Sequence, residues 1–131
     1  MVVDTSAFLA VLLEEPEAAR FAHLLSEDRV RLCSTVAFVE ASIVLHNRKG
    51  EKGRRKFDQF LQRASVEIVP VDLTQAEAAR GAYQTFGKGI HPACLNLGDC
   101  FSYALAKITG EPLLFKGNDF ALTDIGRADC D

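Results

Sequence analysis

A chain of 131 residues, 48% of them hydrophobic, can bury one sizeable core without disulfide or metal staples, so a single domain spanning residues 1–131 is expected. A formal net charge of −3 excludes a protein that coats nucleic acid by bulk charge, but leaves room for a local basic patch. The early apolar run from Ala7 to Leu13 has no basic lead and is stopped by Glu14-Glu15-Pro16-Glu17, and no apolar run nears the ~20 residues of a membrane span. Cys33, Cys94, Cys100 and Cys130 include no Cys-x-x-Cys pair and have no histidine at zinc-ligand spacing, which predicts reduced thiols and a cytoplasmic protein.

In chain order, Met1-Val2-Val3 is a β-prone run that ends at Asp4, and Thr5 to Leu13 follows as a short helix. Pro16 restarts a second helix through Phe21, Leu24 and Leu25, since proline suits a first helical position. Val30 to Cys33 reads as a short strand, and Ser34 or Thr35 caps a helix from Val36 to Arg48 that Gly50 ends. Phe57, Phe60, Leu61 and Ala64 form a helical stripe within Glu51 to Ala64. Val66 to Val71 is a strand in which Pro70 removes one ladder donor, and Thr74-Gln75-Ala76-Glu77 has the pattern of a capping box for a helix running to Gly87. Gly87 to Leu97 is the longest expected loop; Asn96 caps a helix from Gly98 to Thr109, which Gly110 ends. Leu113 to Phe115 is a buried strand, Lys116 to Asp119 a turn, and Phe120 to Leu122 one helical turn. Strands alternating with helices predict an α/β fold with a mostly parallel sheet.

Acids recur at the junctions. Asp4 ends the first strand, Asp99 opens a helix, and Asp119 follows the last strand by a turn. Each alone has a structural explanation as a helix-end or turn residue. Glu40 changes the balance. At 100° per residue, Val36, Ala37, Ile43, Val44 and Asn47 fall within about 60° of it, so a glutamate centred on an apolar arc is expected to lose hydration, which is costly unless it is paired or metal-bound. Four converging carboxylates repel one another, and a divalent cation relieves the repulsion. Oxygen ligands without His or Cys suit Mg²⁺ or Mn²⁺, and such an ion fits phosphodiester hydrolysis. Arg48, Lys49, Lys52, Arg54, Arg55 and Lys56 place six cations in nine residues, a solvated helix start or a contact for an RNA backbone.

These residues resemble the PIN-domain ribonucleases, and among them the VapC-type toxins of bacterial toxin–antitoxin pairs. The matching segments are Val2 to Ala7, Val39-Glu40, Leu97 to Ala106, and Lys116 to Phe120 with Thr123-Asp124-Ile125, in the family's order over nearly the whole chain. The resemblance implies one PIN domain, a three-layer α/β/α sandwich with a mostly parallel central sheet, Mg²⁺- or Mn²⁺-dependent endoribonuclease activity leaving 5′-phosphate and 3′-hydroxyl ends, and a cognate VapB-type antitoxin. It assigns Asp4, Glu40 and Asp99 to metal binding and catalysis, with Asp119 as the fourth acid. Ser6 would orient Asp4, and Asn96 would cap the Asp99 helix and face the pocket. Position 118 is Asn where an acid-rich version of the last motif has a second acid, which leaves Asp119 to serve there; Asp124 reads as a turn or capping residue. A homodimer is also expected. Two alternatives remain at this point. A haloacid-dehalogenase-like phosphatase would use Asp4 as nucleophile but wants a second Asp where Ser6 stands, and a non-catalytic RNA- or protein-binding module would not need four acids.

Overall fold

A computed structural model describes residues 1–129, so Cys130 lies outside the described residues. Four short strands, β1 (Val2–Val3), β2 (Leu32–Ser34), β3 (Glu67–Val69) and β4 (Leu113–Leu114), form one parallel sheet in the order β3-β2-β1-β4. Val2 and Val3 are both fully buried because successive side chains leave opposite faces of the pleat. Val3 joins Phe8, Phe21, Leu45 and Phe57, from α1 (Thr5–Leu12), α2 (Ala18–Glu27) and α3 (Thr35–Arg63). Val2 joins Ala79, Ala82, Tyr103 and Leu105, from α4 (Leu73–Phe86) and α5 (Leu97–Thr109). Helices therefore cover both faces, the expected α/β/α sandwich, and the apolar runs of the central strands follow from being buried on both sides.

The strand order fixes where a site can form. The chain steps outward from β1 to β2 and β3, then returns to place β4 on the other flank of β1. In open parallel sheets the carboxyl ends at such a reversal form the ligand-binding crevice. Val2 and Val3 are in register with Leu113 and Leu114, and the Asp4 amide donates to the Leu114 carbonyl at 3.0 Å. Asp4 and the turn after β4 thus share one rim.

Several boundaries differ from the sequence reading. The helices expected on either side of Gly50 are present but joined end to end as α3, broken where Gly50 takes φ 63° and ψ −153°, backbone space that is essentially glycine's own. Ser34, rather than Thr35, caps this helix by accepting from the Val36 amide at 3.1 Å. The capping box expected at Thr74 does not form: Asp72 lies two residues earlier and accepts from the Gln75 amide at 2.8 Å, so α4 has already begun when Thr74 is reached. Pro16 does not open α2, which starts at Ala18 with no side-chain cap from Glu17. No helix among the described residues is long and apolar enough to cross a membrane.

Candidate functional site

Asp4 is 4% exposed at the end of β1, and its Oδ2 is held twice over. The Ser6 amide donates to it at 3.0 Å and the Ser6 hydroxyl at 2.7 Å. The amide contact is also the N-terminal cap of α1, so the structural and functional readings of Asp4 coexist. The Ser6 hydroxyl in turn accepts from the Lys116 amide at 3.0 Å, which ties the first turn of α1 to the turn after β4. Ser6 therefore holds Asp4 Oδ2 by two hydrogen bonds.

Asp99 sits in the first turn of α5 in a reciprocal capping box. Its amide donates to Asn96 Oδ1 at 2.9 Å, and its Oδ2 accepts from the Asn96 amide at 3.1 Å. Asn96 is thus the helix cap, and by holding Asp99 Oδ2 it fixes how the acid is presented. Burial pushes the Asp99 carboxyl up to about 7, against the Asn96 amide, which lowers it; the charges of Asp4, Asp119 and Glu40 add to the rise. Asp4, Glu40 and Asp119 are therefore each within electrostatic reach of Asp99.

Glu40 arrives by a route that the helical period did not give. Of the arc counted around it, only Ala37 lies in the core; Ile43 is 55% exposed and Asn47 is exposed as well. The helix packs through Ala37, Ala41 and Leu45, because these face α1 and the sheet. Glu40 is half-buried, not sunk in an apolar face. What places it is Gly98: a Cβ there would lie 2.7 and 2.8 Å from the two Glu40 carboxylate oxygens. The missing side chain lets the carboxylate rest on the first turn of α5 beside Asp99. Gly98 was not among the residues expected to shape the site, although its place in Leu97-Gly98-Asp99 was the available signal.

Asp119 is exposed ahead of the 3₁₀ turn Phe120–Leu122 and makes no side-chain capping bond, so its carboxylate is uncommitted while its charge reaches Asp99. Asp124 is structural, accepting from the Tyr103 hydroxyl at 2.5 Å and pairing with Lys107 at 2.7 Å. None of the four acids forms an ion pair with a cation among the described residues. Neither do they close into a coordination shell: no three His, Cys, Asp or Glu side chains among the described residues are arranged to hold a metal ion as they stand. Mutual repulsion keeps carboxylates apart, and a magnesium ion that retains most of its waters needs only one or two of them directly. The all-oxygen donor set and the cradle at Gly98 fit a hard divalent cation.

The basic run divides between two faces of the fold. Lys49, Lys52 and Lys56 line a cavity with Leu12, Leu13 and Leu45, at the far end of α1 from Asp4. Eight residues of helix put that end roughly 12 Å away. Arg54 is engaged by Glu51 and by Asp58, the latter at 2.9 Å, while Arg48 and Arg55 are exposed. Lys49, Lys52 and Lys56 thus lie on a face away from Asp4, whereas Arg54 lines a groove with Val39 and Ile43, which also flank Glu40. Burial also pushes the Cys33 thiol up to about 12, and burial with the Asp99 charge pushes Cys100 to about 11, so both are core thiols and not nucleophiles.

The PIN domain family profile matches residues 1–126. Ribonuclease VapC30 of Mycobacterium tuberculosis is 55% identical over 125 residues, which cover 95% of each chain. This chain belongs to the PIN-domain family, among the VapC ribonucleases. The fold agrees: VapC20 of Mycobacterium tuberculosis, a toxin that cleaves the sarcin–ricin loop, superposes with a TM-score of 0.78 at 17% identity, covering 95% of both chains. A toxin–antitoxin complex from Klebsiella pneumoniae gives 0.72 at 17% identity, covering 94% of this chain and 92% of that one. The family match argues against a phosphatase, and Ser6, hydrogen-bonded to Asp4, stands where that chemistry wants a second acid.

Proposed function

We propose that this VapC-family protein is a divalent-metal-dependent endoribonuclease, the toxin of a toxin–antitoxin pair, with Asp4, Glu40, Asp99 and Asp119 as its metal-binding and catalytic acids. The observation that carries this is that Asp4, Glu40 and Asp119 all bear on the buried Asp99, whose carboxyl is pushed up to about 7 by burial and by their charges, with no cation among the described residues paired to any of the four. PIN-domain ribonucleases as a class depend on a divalent metal, and the donor set favours Mg²⁺ or Mn²⁺. Such an ion supplies an activated water and neutralises charge on the phosphodiester.

The chain's own residues do the rest. Ser6 holds Asp4 through Oδ2, the Asn96 amide holds Asp99 through Oδ2, Gly98 admits Glu40, and Asp119 adds its charge from the turn after β4. Four like charges repel an RNA backbone, so substrate approaches productively only when the rim is neutralised, which couples RNA binding to cation binding. The partners are RNA, a cognate VapB-type antitoxin and a second copy of the chain, all in the cytoplasm. Val39, Ile43 and Leu97, 51%, 55% and 74% exposed, form an apolar strip beside Glu40 that supports burial against a protein partner.

Mapping RNA ends after induced expression of wild type and Asp4→Asn tests activity, substrate and the acid together. New 5′-phosphate ends in the wild type alone are expected. The same ends from the variant, or cyclic-phosphate products, would overturn the reading.

A further inference from the structure

One connected set of contacts lies outside the proposed chemistry. Lys116 follows β4 and reaches back across the sheet: its Nζ lies 3.0 Å from Glu15 and 3.2 Å from Glu17, in the segment between α1 and α2. All three side chains are about a third exposed or less, so the pairs are less screened than ordinary surface pairs, and the two carboxylates hold the ammonium above its usual range. The backbone of the same residue donates to Ser6 Oγ. A hydroxyl has one proton, so a donor occupying its lone pair directs that proton elsewhere, here to Asp4 Oδ2 at 2.7 Å. Three residues beyond Lys116 is Asp119.

We propose that Lys116 is a positioning residue whose ion pairs with Glu15 and Glu17 latch the turn after β4, so that its amide fixes the Ser6 hydroxyl on Asp4 and the turn carries Asp119 to the rim. The role rests on the metal reading above only for its consequence, since its ion pairs involve none of the four acids. Outer contacts of this kind alter metal affinity by roughly 10- to 100-fold in characterised sites. A purely electrostatic role has the opposite sign: removing a nearby cation makes a cluster of acids bind a divalent ion more tightly.

Lys116→Met keeps much of the stem and removes the charge. Hydrogen exchange in the metal-free protein is expected to speed up at least about 10-fold at the amides of Ser6 and position 116, with Mn²⁺ binding weakened by about 10-fold or more. Lys116→Arg is expected to restore both to within about 3-fold, because the guanidinium can still reach the two glutamates. The double variant Glu15→Gln/Glu17→Gln retains the lysine and is expected to show the same faster exchange, which keeps the test decisive if Lys116→Met folds poorly. Unchanged exchange in that double variant, or unchanged or tighter Mn²⁺ binding by a folded Lys116→Met, would overturn the latch. A wild-type protein that binds no Mn²⁺ would instead overturn the metal reading, and the exchange rates alone would then decide the latch.

Discussion

Gly98→Ala separates function from stability. The added Cβ would stand 2.7 Å from Glu40 Oε2, 2.8 Å from Oε1 and 3.0 Å from Cδ. Reaching ordinary contact requires the carboxylate to retreat by at least ~0.7 Å, and the atoms in the way are the far end of a flexible side chain, so Glu40 swings aside at little cost. The backbone of Gly98 is helical and alanine is the better helix former, which predicts a stability change between zero and a gain of about 1 kcal/mol. Activity moves the other way. A displacement near 1 Å of a positioned group can cost on the order of 100-fold, so Mg²⁺-dependent cleavage of a short RNA is expected to fall about 10- to 100-fold. Urea unfolding and single-turnover cleavage on the same preparation check both halves. Cleavage within about 3-fold of wild type, or a loss of more than about 2 kcal/mol of stability, would refute the argument that Gly98 exists to admit Glu40.

Other outcomes follow from the same geometry. A carboxyl raised from 3.8 to about 7 binds its proton more tightly folded than unfolded, so the metal-free protein should lose stability as pH climbs from about 4 to about 7, by at most ~4 kcal/mol before screening. Asp99→Asn retains an oxygen for the Asn96 amide and removes the charge; thermal melts should show it more stable than wild type at pH 8 and equal near pH 4, while cleavage is abolished. Ser6→Ala removes the donor to Asp4 and strands the Lys116 amide, predicting a loss of about 1–3 kcal/mol by urea unfolding, together with about 10- to 100-fold weaker Mn²⁺ binding. The triple variant Lys49→Ala/Lys52→Ala/Lys56→Ala removes charge remote from the rim; its cleavage of a short RNA should stay within about 3-fold of wild type with the same salt slope, and a slope reduced by about 2 or 3 would place RNA on that face after all.

What could be read from the sequence was what is local. A β-prone run ending at Asp4, a serine two residues on, and Asn96 three residues before Asp99 each announce a junction whose hydrogen bonds close within a few residues. The strand and helix alternation similarly gave the layered parallel fold. Glu40 shows the limit of periodicity: the repeat says which residues share a face but not which face meets the core, and here the arc around Glu40 opens onto an apolar groove while Ala37, Ala41 and Leu45 face inward. Helix starts were missed where two candidates compete, since Asp72 and Thr74 are both competent caps and the chain uses the one nearer β3. Gly98 against Glu40, and Lys116 against Glu15 and Glu17, join segments some 60 to 100 residues apart, which no spacing rule connects. The basic run was conspicuous as charge density, yet its relation to the acids depends on how α3 lies across α1.

The central claim, that these acids bind a divalent cation, is tested most directly by Mn²⁺ titration of the purified protein followed by electron paramagnetic resonance. Saturable binding by the wild type, lost by 100-fold or more on the order of a ligand's contribution in Asp99→Asn, is the expected result. Equal binding by the two proteins would contradict it.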